Sequence, residues 1–341
     1  MLVLGGTRFL GRHLVDCFSR RGHRVVCFHR GQTTCTLPSE VEERLGDRND
    51  DLGAVASESW DAIVDTSGYR PEQTQRSLEL RTERYLFIST VNVYRDLSHP
   101  GVAEEAPTIE TFDPSDAAAS YGGNKAACER MIVERYPEAH AILRPGLIVG
   151  QWDPTGRFTY WCERFLRGGN VLAPGPPERP VQFIDAVDLA RFAAHLLETE
   201  RCGIFNVAGP EPPATMGSLL DACARVVAER KAPSATIAWA DRAFLAEHGV
   251  EEWTELPLWL DDPQFAGILD IDNRRALAAG LETRPIAETV RSALDWQRPE
   301  APAVKVGLSA EREAQLLAAL EFAATRPLAG KRVAQSGDSV S

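Results

Sequence analysis

Residues 2–30, LVLGGTRFLGRHLVDCFSRRGHRVVCFHR, decide the fold. The apolar run from Leu2 to Leu4 meets a glycine turn, and apolar residues then recur every three or four positions as far as Phe18. This spacing predicts a helix with one apolar face, and residues 24–29 return to strand-type composition. The stretch therefore predicts a strand, a helix and a second strand, the opening unit of an α/β protein with a doubly wound parallel sheet.

The glycine turn is suited to a bound anion. Free N–H groups and the positive end of the helix dipole meet there, and a nucleotide pyrophosphate is the usual ligand of such a turn. The spacing GxxGxxG requires a glycine at the position of Arg8, so Arg8 either displaces the cofactor slightly or contacts a phosphate. An arginine that points into solvent is the alternative. The residues expected to bind the cofactor here are Gly5, Thr7, Arg8, Phe9, Leu10 and Gly11.

The end of the second strand bears on the choice of cofactor. An NAD site has a carboxylate there for the ribose hydroxyls, whereas this chain has His29 and Arg30. These two side chains suit a 2′-phosphate, which predicts NADP(H) in preference to NAD(H). An ordinary charged loop residue is the alternative for Arg30. Asp47 is placed to reach the adenine edge or to lie in an exposed loop, and Ser67 falls in a polar turn at the end of a further strand.

A tyrosine and a lysine at helical spacing suggest the chemistry. Tyr121 and Lys125 are four residues apart and share one face of a helix predicted over 121–136. A lysine ammonium beside a tyrosine hydroxyl lowers the pKa of the phenol, so that the tyrosine exchanges a proton with an alcohol or carbonyl. Thr90, at the end of the strand in 84–94, is expected to bind the same oxygen. The pair alone is weak evidence and gains weight after a βαβ glycine turn.

Composition excludes several classes of protein. The formal charge of −12 and a pI near 5.2 disfavour a wide nucleic-acid surface. Seven scattered cysteines without a CxxC pair indicate a reducing, cytoplasmic setting. No cluster of His, Cys, Asp and Glu has the spacing of a metal site, so no metal is expected. The first strand begins at Met1, which leaves no room for a signal peptide, and no apolar run reaches the length of a membrane helix.

These motifs together resemble the extended short-chain dehydrogenase/reductase superfamily. The resemblance covers residues 1–300 approximately and is greatest to its NAD-dependent epimerase/dehydratase branch, in particular to members with GGTRF, which include proteins similar to a chloroplast RNA-binding group. Its motifs are 5–11, Asp47, Ser89-Thr90 with Val93-Tyr94, the Tyr121/Lys125 pair, 144–146, 181–190 and 203–209.

The resemblance implies a role for each matching residue. Tyr121 becomes the catalytic acid/base, Lys125 its electrostatic partner and a nicotinamide-ribose ligand, and Thr90 the ligand of the substrate oxygen. Dehydratases of the family have an Asp-Glu pair where this chain has Val91-Asn92, so hydroxyl elimination lacks its acid and base. The turn at 65–69 also differs from that of epimerases. A homodimer through helices of the cofactor lobe is implied by analogy.

A second lobe is expected to bind the substrate. The predicted domains are a Rossmann lobe of residues 1–150 plus about 181–209, a substrate lobe of about 151–180 plus 210–325, and a loose tail of 326–341. Aromatic residues near 152–161 offer apolar walls or pack a core. The expected substrate ligands are Thr90, Asn92, Trp152, Arg157 and Tyr160.

Three functions follow from these features. The leading hypothesis is an NADP(H)-dependent oxidoreductase that interconverts a secondary alcohol and a ketone on a sugar, nucleotide-sugar or natural-product substrate. An epimerase that retains its nicotinamide cofactor is the second. A non-catalytic RNA-binding protein of the same fold is the third, and the charge of −12 argues against it.

Overall fold

The computed structural model describes residues 1–113, 115–296 and 306–325. Its strands, numbered along the chain, are β1 (Leu2–Leu4), β2 (Val26–His29), β3 (Glu42–Leu45), β4 (Ser59–Asp65), β5 (Arg81–Ile88), β6 (His140–Pro145), β7 (Leu147–Val149), β8 (Gly169–Pro174), β9 (Pro180–Asp185), β10 (Gly203–Val207), β11 (Gly209–Thr215) and β12 (Ala235–Ala240). Its helices are α1 (Phe9–Arg20), α2 (Gly53–Ala56), α3 (Pro71–Ser77), α4 (Ala117–Arg135), α5 (Arg157–Leu166), α6 (Ala186–Glu198), α7 (Met216–Glu229), α8 (Arg242–Glu247), α9 (Arg274–Ala278), α10 (Ile286–Asp295) and α11 (Ala310–Thr325).

Seven strands form one parallel sheet in the spatial order β3-β2-β1-β4-β5-β6-β10. The chain moves outward from β1 to β3 and then returns to place β4 on the other side of β1. The predicted doubly wound sheet is confirmed. The carboxyl ends of β1 and β4 mark the point where the strand order reverses, and open α/β sheets bind their ligands at this point.

Alternate side chains of β1 explain how the sheet is covered on both faces. Val3 packs in the core that includes α1 and α6, whereas Leu2 and Leu4 pack in the core that includes α4. All three side chains are buried. A strand buried on both faces has a continuous apolar run, which is the pattern that marked β1 in the sequence.

A further core lies in the second lobe, between the two small sheets and α5, α7, α8, α10 and α11. Phe158, Trp161 and Phe165 of α5 are buried in it together with residues of α7, α10 and α11. Strand β9 pairs with β7 and β11 in a three-stranded sheet, so residues 181–185, which were assigned to the Rossmann lobe, do not add a strand to its seven-stranded sheet. Strands β8 and β12, which the sequence did not predict, pair with each other in parallel.

One further boundary differs from the predictions. Helix α4 begins at Ala117, so Tyr121 lies one turn inside the helix and not at its start. Helix α10 ends at Asp295, and the tail predicted to be loose, 326–341, falls outside the described residues. In the ranges that the structure describes, no helix is long and apolar enough to cross a membrane.

Candidate active site

A cavity of about 570 Å³ opens at the carboxyl ends of the central strands. Its walls come from the turns after β1 to β5, from α4 and from the segment after β6. The cavity brings together all the residues predicted to be catalytic or cofactor-binding, namely Gly5, Thr7, Arg8, Phe9, Leu10, Gly11, His29, Arg30, Asp47, Ser67, Thr90, Tyr121 and Lys125.

The glycine turn leaves the start of α1 open to this cavity. Gly5 has a φ of +93°, a conformation that favours glycine, and a Cβ atom there would lie 2.7 Å from Thr66 Oγ1. A Cβ atom on Gly11 would lie 2.2 Å from the carbonyl oxygen of Gly5. No side chain caps the first turn of α1, and this turn contains no acidic residue. Its N–H groups and the helix dipole can therefore receive a pyrophosphate.

Lys125 lies at the other end of the cavity and is only 2% exposed. Its Nζ donates hydrogen bonds to the carbonyl oxygens of Ile88 at 2.6 Å and Gly68 at 2.9 Å. The rings of Phe87 and Tyr69 face the ammonium, with centroids 4.3 and 5.1 Å from Nζ. Burial lowers the pKa of Lys125 to about 8, although nearby carboxylate charge acts in the opposite direction.

Tyr121 lies beside Thr90 and is 36% exposed. Burial raises the pKa of Tyr121, Tyr69 adds to this increase, and a hydrogen bond with Thr90 acts against it. The prediction that Lys125 lowers this pKa is wrong for the structure described. The ammonium of Lys125 donates its hydrogen bonds to the carbonyl oxygens of Gly68 and Ile88, whereas burial and Tyr69 raise the pKa of Tyr121. Tyr121 is therefore a protonated phenol at neutral pH.

A buried ion pair beneath the cavity was not predicted from the sequence. Arg48 Nη1 and Nη2 donate to the two carboxylate oxygens of Asp65 at 2.5 and 2.8 Å, and the hydroxyl of Tyr85 donates to the same carboxylate. Arg48 also donates to Ser67 Oγ and to the carbonyl oxygen of Gln73. Burial opposes ionisation of Asp65, but the charge and hydrogen bonds of Arg48, the N–H of Ser67 and the charge of Lys125 together lower the pKa of Asp65. The pair thus joins the turn after β3 to the turn after β4 and to α3.

His29 and Arg30, the two residues predicted to bind a 2′-phosphate, differ in whether their side chains already have a partner. His29 Nε2 lies 2.8 Å from Glu43 Oε2, and His29 Nδ1 accepts the N–H of Gly31 at 3.1 Å. Both ring nitrogens of His29 are therefore engaged. Arg8 and Arg30 are exposed at the cavity wall, and neither side chain makes a hydrogen bond or ion pair within 1–113, 115–296 and 306–325. Asp47 lines the cavity and accepts hydrogen bonds from Asn49.

Four of the expected substrate ligands do not line the cavity. Asn92 donates its backbone N–H to Thr90 Oγ1 at 3.2 Å. The ring of Trp152 packs against His13 and Arg12, and the guanidinium of Arg157 lies over the ring of Trp253. Tyr160 is buried in the core of the second lobe. Among the expected substrate ligands, Thr90 is the one at the cavity.

The donor set of the cavity fits a nicotinamide dinucleotide. Ser89 Oγ lines the cavity and is a buried atom without a hydrogen-bond partner in the described part of the chain. Together with the open first turn of α1, it offers polar groups along the length of the cavity. No group of three His, Cys, Asp or Glu residues suited to a metal ion occurs among the described residues.

The sheet order, the glycine turn and the Tyr121/Lys125 pair place the chain in the extended short-chain dehydrogenase/reductase class of NAD(P)-dependent enzymes. Comparison with known proteins defines the family. The model of the NAD dependent epimerase/dehydratase family matches residues 1–208, and the chain belongs to this family.

Individual relatives are more distant. The chloroplast stem-loop binding protein of 41 kDa b from Arabidopsis thaliana is 26% identical over 245 residues, which are 66% of this chain and 62% of that protein. The matched region is thus less than two thirds of the relative's length.

Solved structures show the same fold. The UDP-glucuronic acid 4-epimerase from Bacillus cereus in complex with NAD has a TM-score of 0.61 at 16% identity, covering 86% of this chain and 95% of that chain. The UDP-glucose 4-epimerase from Thermotoga maritima with UDP-glucose has a TM-score of 0.58 at 15% identity, covering 86% and 97%.

Proposed function

We propose that the protein is an NADP(H)-dependent oxidoreductase that interconverts a secondary alcohol and a ketone on a sugar, nucleotide-sugar or natural-product substrate. The observation that carries this proposal is the presence of Thr90, Tyr121 and Lys125 in the same cavity as the glycine turn. In the balanced reaction, a ketone, NADPH and a proton give a secondary alcohol and NADP⁺. The bound cofactor supplies the hydride, and the protein supplies the proton and the orientation.

Each of the three side chains has a distinct role. Tyr121, whose pKa is raised, is a protonated phenol that donates its proton to the carbonyl oxygen in the reduction. The hydroxyl of Thr90 binds the same oxygen and holds it within reach of Tyr121. Lys125 uses two of its three N–H groups on backbone carbonyl oxygens, which leaves one for the nicotinamide ribose.

The preference for NADP(H) is supported by Arg8 and Arg30. Both guanidinium groups border the cavity and form no hydrogen bond or ion pair in the described ranges, and a 2′-phosphate would accept hydrogen bonds from them. The carboxylate of Glu43 lies nearby and is hydrogen-bonded to His29. Gln32 and Thr33 line the same part of the wall and offer further donors.

Replacement of Tyr121 by phenylalanine tests the chemistry. NADPH oxidation is followed at 340 nm with a panel of hydroxylated ketones, and NADPH affinity is measured in parallel by fluorescence titration. Tyr121→Phe should lower kcat by 10² or more, because general acid catalysis contributes 10²–10⁴, while NADPH still binds. Tyr136→Phe is the matched control, since its buried hydroxyl lies outside the cavity and has no hydrogen-bond partner in the described chain. Full activity of Tyr121→Phe would refute the assignment.

An epimerase is the second candidate, and family membership favours it. Such an enzyme oxidises and re-reduces one carbon with the same cofactor molecule. It would convert a UDP-sugar to its epimer without net consumption of added NADPH, whereas the oxidoreductase consumes one NADPH for each ketone. Product analysis by NMR with stoichiometric NADPH separates the two.

RNA binding is the candidate of another class. The name of the Arabidopsis relative favours it, and the net charge of −12 argues against it. A gel-shift titration with a stem-loop RNA at 50 and 200 mM salt tests it, because phosphate contacts make binding strongly dependent on salt. We expect no shift at either concentration, which accords with the proposal of a small-molecule partner alone.

We also propose a cytoplasmic location, a division into two lobes and a homodimer. The seven free cysteines support a cytoplasmic protein. Separate cores support a Rossmann lobe of residues 1–150 plus about 181–209 and a substrate lobe of about 151–180 plus 210–325. Across these bounds, Val181 and Phe183 pack in the core of the substrate lobe, and Ala276, Ala279 and Leu281 pack in that of the Rossmann lobe. The homodimer rests on analogy and is tested by light scattering of the purified chain.

A further inference from the structure

Tyr69 is an aromatic side chain at the reactive end of the cavity to which the proposed chemistry gives no role. It follows β4 in the turn at 66–69 and is 52% exposed. Its ring centroid lies 5.1 Å from Lys125 Nζ, and it is close enough to Tyr121 to influence the titration of that phenol. Tyr69 therefore borders the same space as the proposed acid and its lysine partner.

The backbone around Tyr69 is held firmly although its ring is exposed. The N–H of Tyr69 donates to Gln73 Oε1 at 2.8 Å, and the preceding carbonyl of Gly68 accepts from Lys125. A Cβ atom on Gly68 would lie within 3 Å of Asp65 and Phe87, so this turn fits closely against the sheet. The backbone of the turn is thus held by α3 and α4, and the ring itself contacts the ammonium of Lys125.

The hydroxyl of Tyr69 has no hydrogen-bond partner in residues 1–113, 115–296 and 306–325. A phenol combines an apolar face with one donor and acceptor, a combination that recurs where a ligand has both apolar and polar atoms. A tyrosine that is exposed to a cavity, held at its backbone and unpaired at its hydroxyl is placed to contact a ligand.

We propose that Tyr69 is a substrate-binding residue that selects carbonyl or alcohol substrates with a second oxygen on the carbon next to the reacting one. Its hydroxyl hydrogen-bonds that second oxygen while Thr90 and Tyr121 bind the oxygen that reacts. This inference rests on the proposed function and extends it, because it concerns which substrates are accepted and not how the proton moves.

The test compares two probes that differ by one hydroxyl. NADPH oxidation is measured with an α-hydroxy ketone, 1-hydroxy-2-butanone, and with 2-butanone, for the wild type, Tyr69→Phe and the control Tyr136→Phe. Loss of one hydrogen bond should reduce kcat/KM of Tyr69→Phe about tenfold for the hydroxylated ketone, mainly through KM, and leave the value for 2-butanone within about twofold. The affinity for NADPH, measured by fluorescence titration, should not change.

The outcomes separate the two proposals. Wild-type protein that oxidises NADPH with no ketone of the panel refutes the proposed function, and the role of Tyr69 is then rejected with it. A second outcome is that the wild type turns over both ketones, but the ratio of kcat/KM for 1-hydroxy-2-butanone to that for 2-butanone is the same in the wild type and in Tyr69→Phe. This result overturns the role of Tyr69 alone. A Tyr69→Phe variant with weaker NADPH binding and an unchanged probe ratio assigns Tyr69 to the cofactor and also overturns it.

Discussion

The ammonium of Lys125 donates a hydrogen bond to the carbonyl oxygen of Ile88 over 2.6 Å and so joins α4 to the end of β5. A second hydrogen bond, to the carbonyl oxygen of Gly68, reaches the turn after β4. One buried charge thus holds three segments of the cavity wall together. The residue proposed to assist catalysis is also part of the structure that shapes the site, and its two roles can be separated by pH.

Lys125→Met should change how stability depends on pH. The pKa of Lys125 is about 8 in the folded chain and 10.5 in the reference state, so the unfolded chain binds more protons between these values. Stability contributed by this site therefore rises with pH in that window. We expect the unfolding free energy of the wild type, relative to Lys125→Met, to increase by about 2 kcal/mol from pH 7 to pH 9.5 in urea titrations.

The control for this prediction is Lys231→Met. Lys231 is exposed, so its replacement should give a difference that does not depend on pH. A flat or falling difference for Lys125→Met would show that the buried ammonium is not the group that titrates.

Arg30→Ala should distinguish the two nicotinamide cofactors. If Arg30 binds the 2′-phosphate, its loss removes a charge-assisted hydrogen bond and weakens NADPH binding about tenfold or more, with no effect on NADH. Fluorescence titration with each cofactor measures this, and Arg201→Ala, an exposed arginine away from the cavity, is the control. Tighter binding of NADH than NADPH by the wild type would refute the preference, as would equal losses for both cofactors in Arg30→Ala.

Asp65→Asn should be one of the most destabilising single substitutions in the sheet. Asp65 is fully buried, and without its charge Arg48 stays buried and uncompensated, which costs about 3–5 kcal/mol of unfolding free energy. Asp221→Asn, on the exposed face of α7, should change stability by less than about 0.5 kcal/mol.

A double-mutant cycle identifies the cause. Arg48→Met should cost much less in an Asp65→Leu background than in the wild type, because the charge is then no longer needed. Equal costs in both backgrounds would contradict an ion pair that acts as a unit.

Whether an element of this protein could be predicted depends on how far apart in the sequence its interacting residues lie. The unit β1-α1-β2 was predicted because its apolar periodicity and its glycine turn are local features of residues 2–30. Strand β8 was not predicted, because Gly168-Gly169 and the prolines after it have the composition of a turn, and its partner β12 lies more than 60 residues later.

The candidate site, too, was predicted only where its residues form a local pattern in the sequence. The Tyr121/Lys125 spacing is a helical pattern that a sequence displays, and both residues line the cavity. The pairing of Arg48 with Asp65 and of His29 with Glu43 depends on which strands are neighbours, and no local pattern gives that information. The pKa of Tyr121 was predicted in the wrong direction because the hydrogen bonds of Lys125 to two carbonyl oxygens are equally invisible in the sequence.

Gly11→Ala tests whether the close approach within the glycine turn is required. Alanine normally stabilises a helix interior by about 0.5–1 kcal/mol relative to glycine. Here its Cβ would lie 2.2 Å from the carbonyl oxygen of Gly5, so the turn must move, and we expect a loss of about 1–3 kcal/mol in unfolding free energy. The same movement displaces the first turn of α1 and should weaken NADPH binding at least tenfold in fluorescence titrations. Gly146→Ala is the stability control, since its nearest neighbour, the Cβ of Ala208, is 3.9 Å away. A Gly11→Ala variant that is as stable as the wild type and binds NADPH equally well would show that the turn does not depend on this contact.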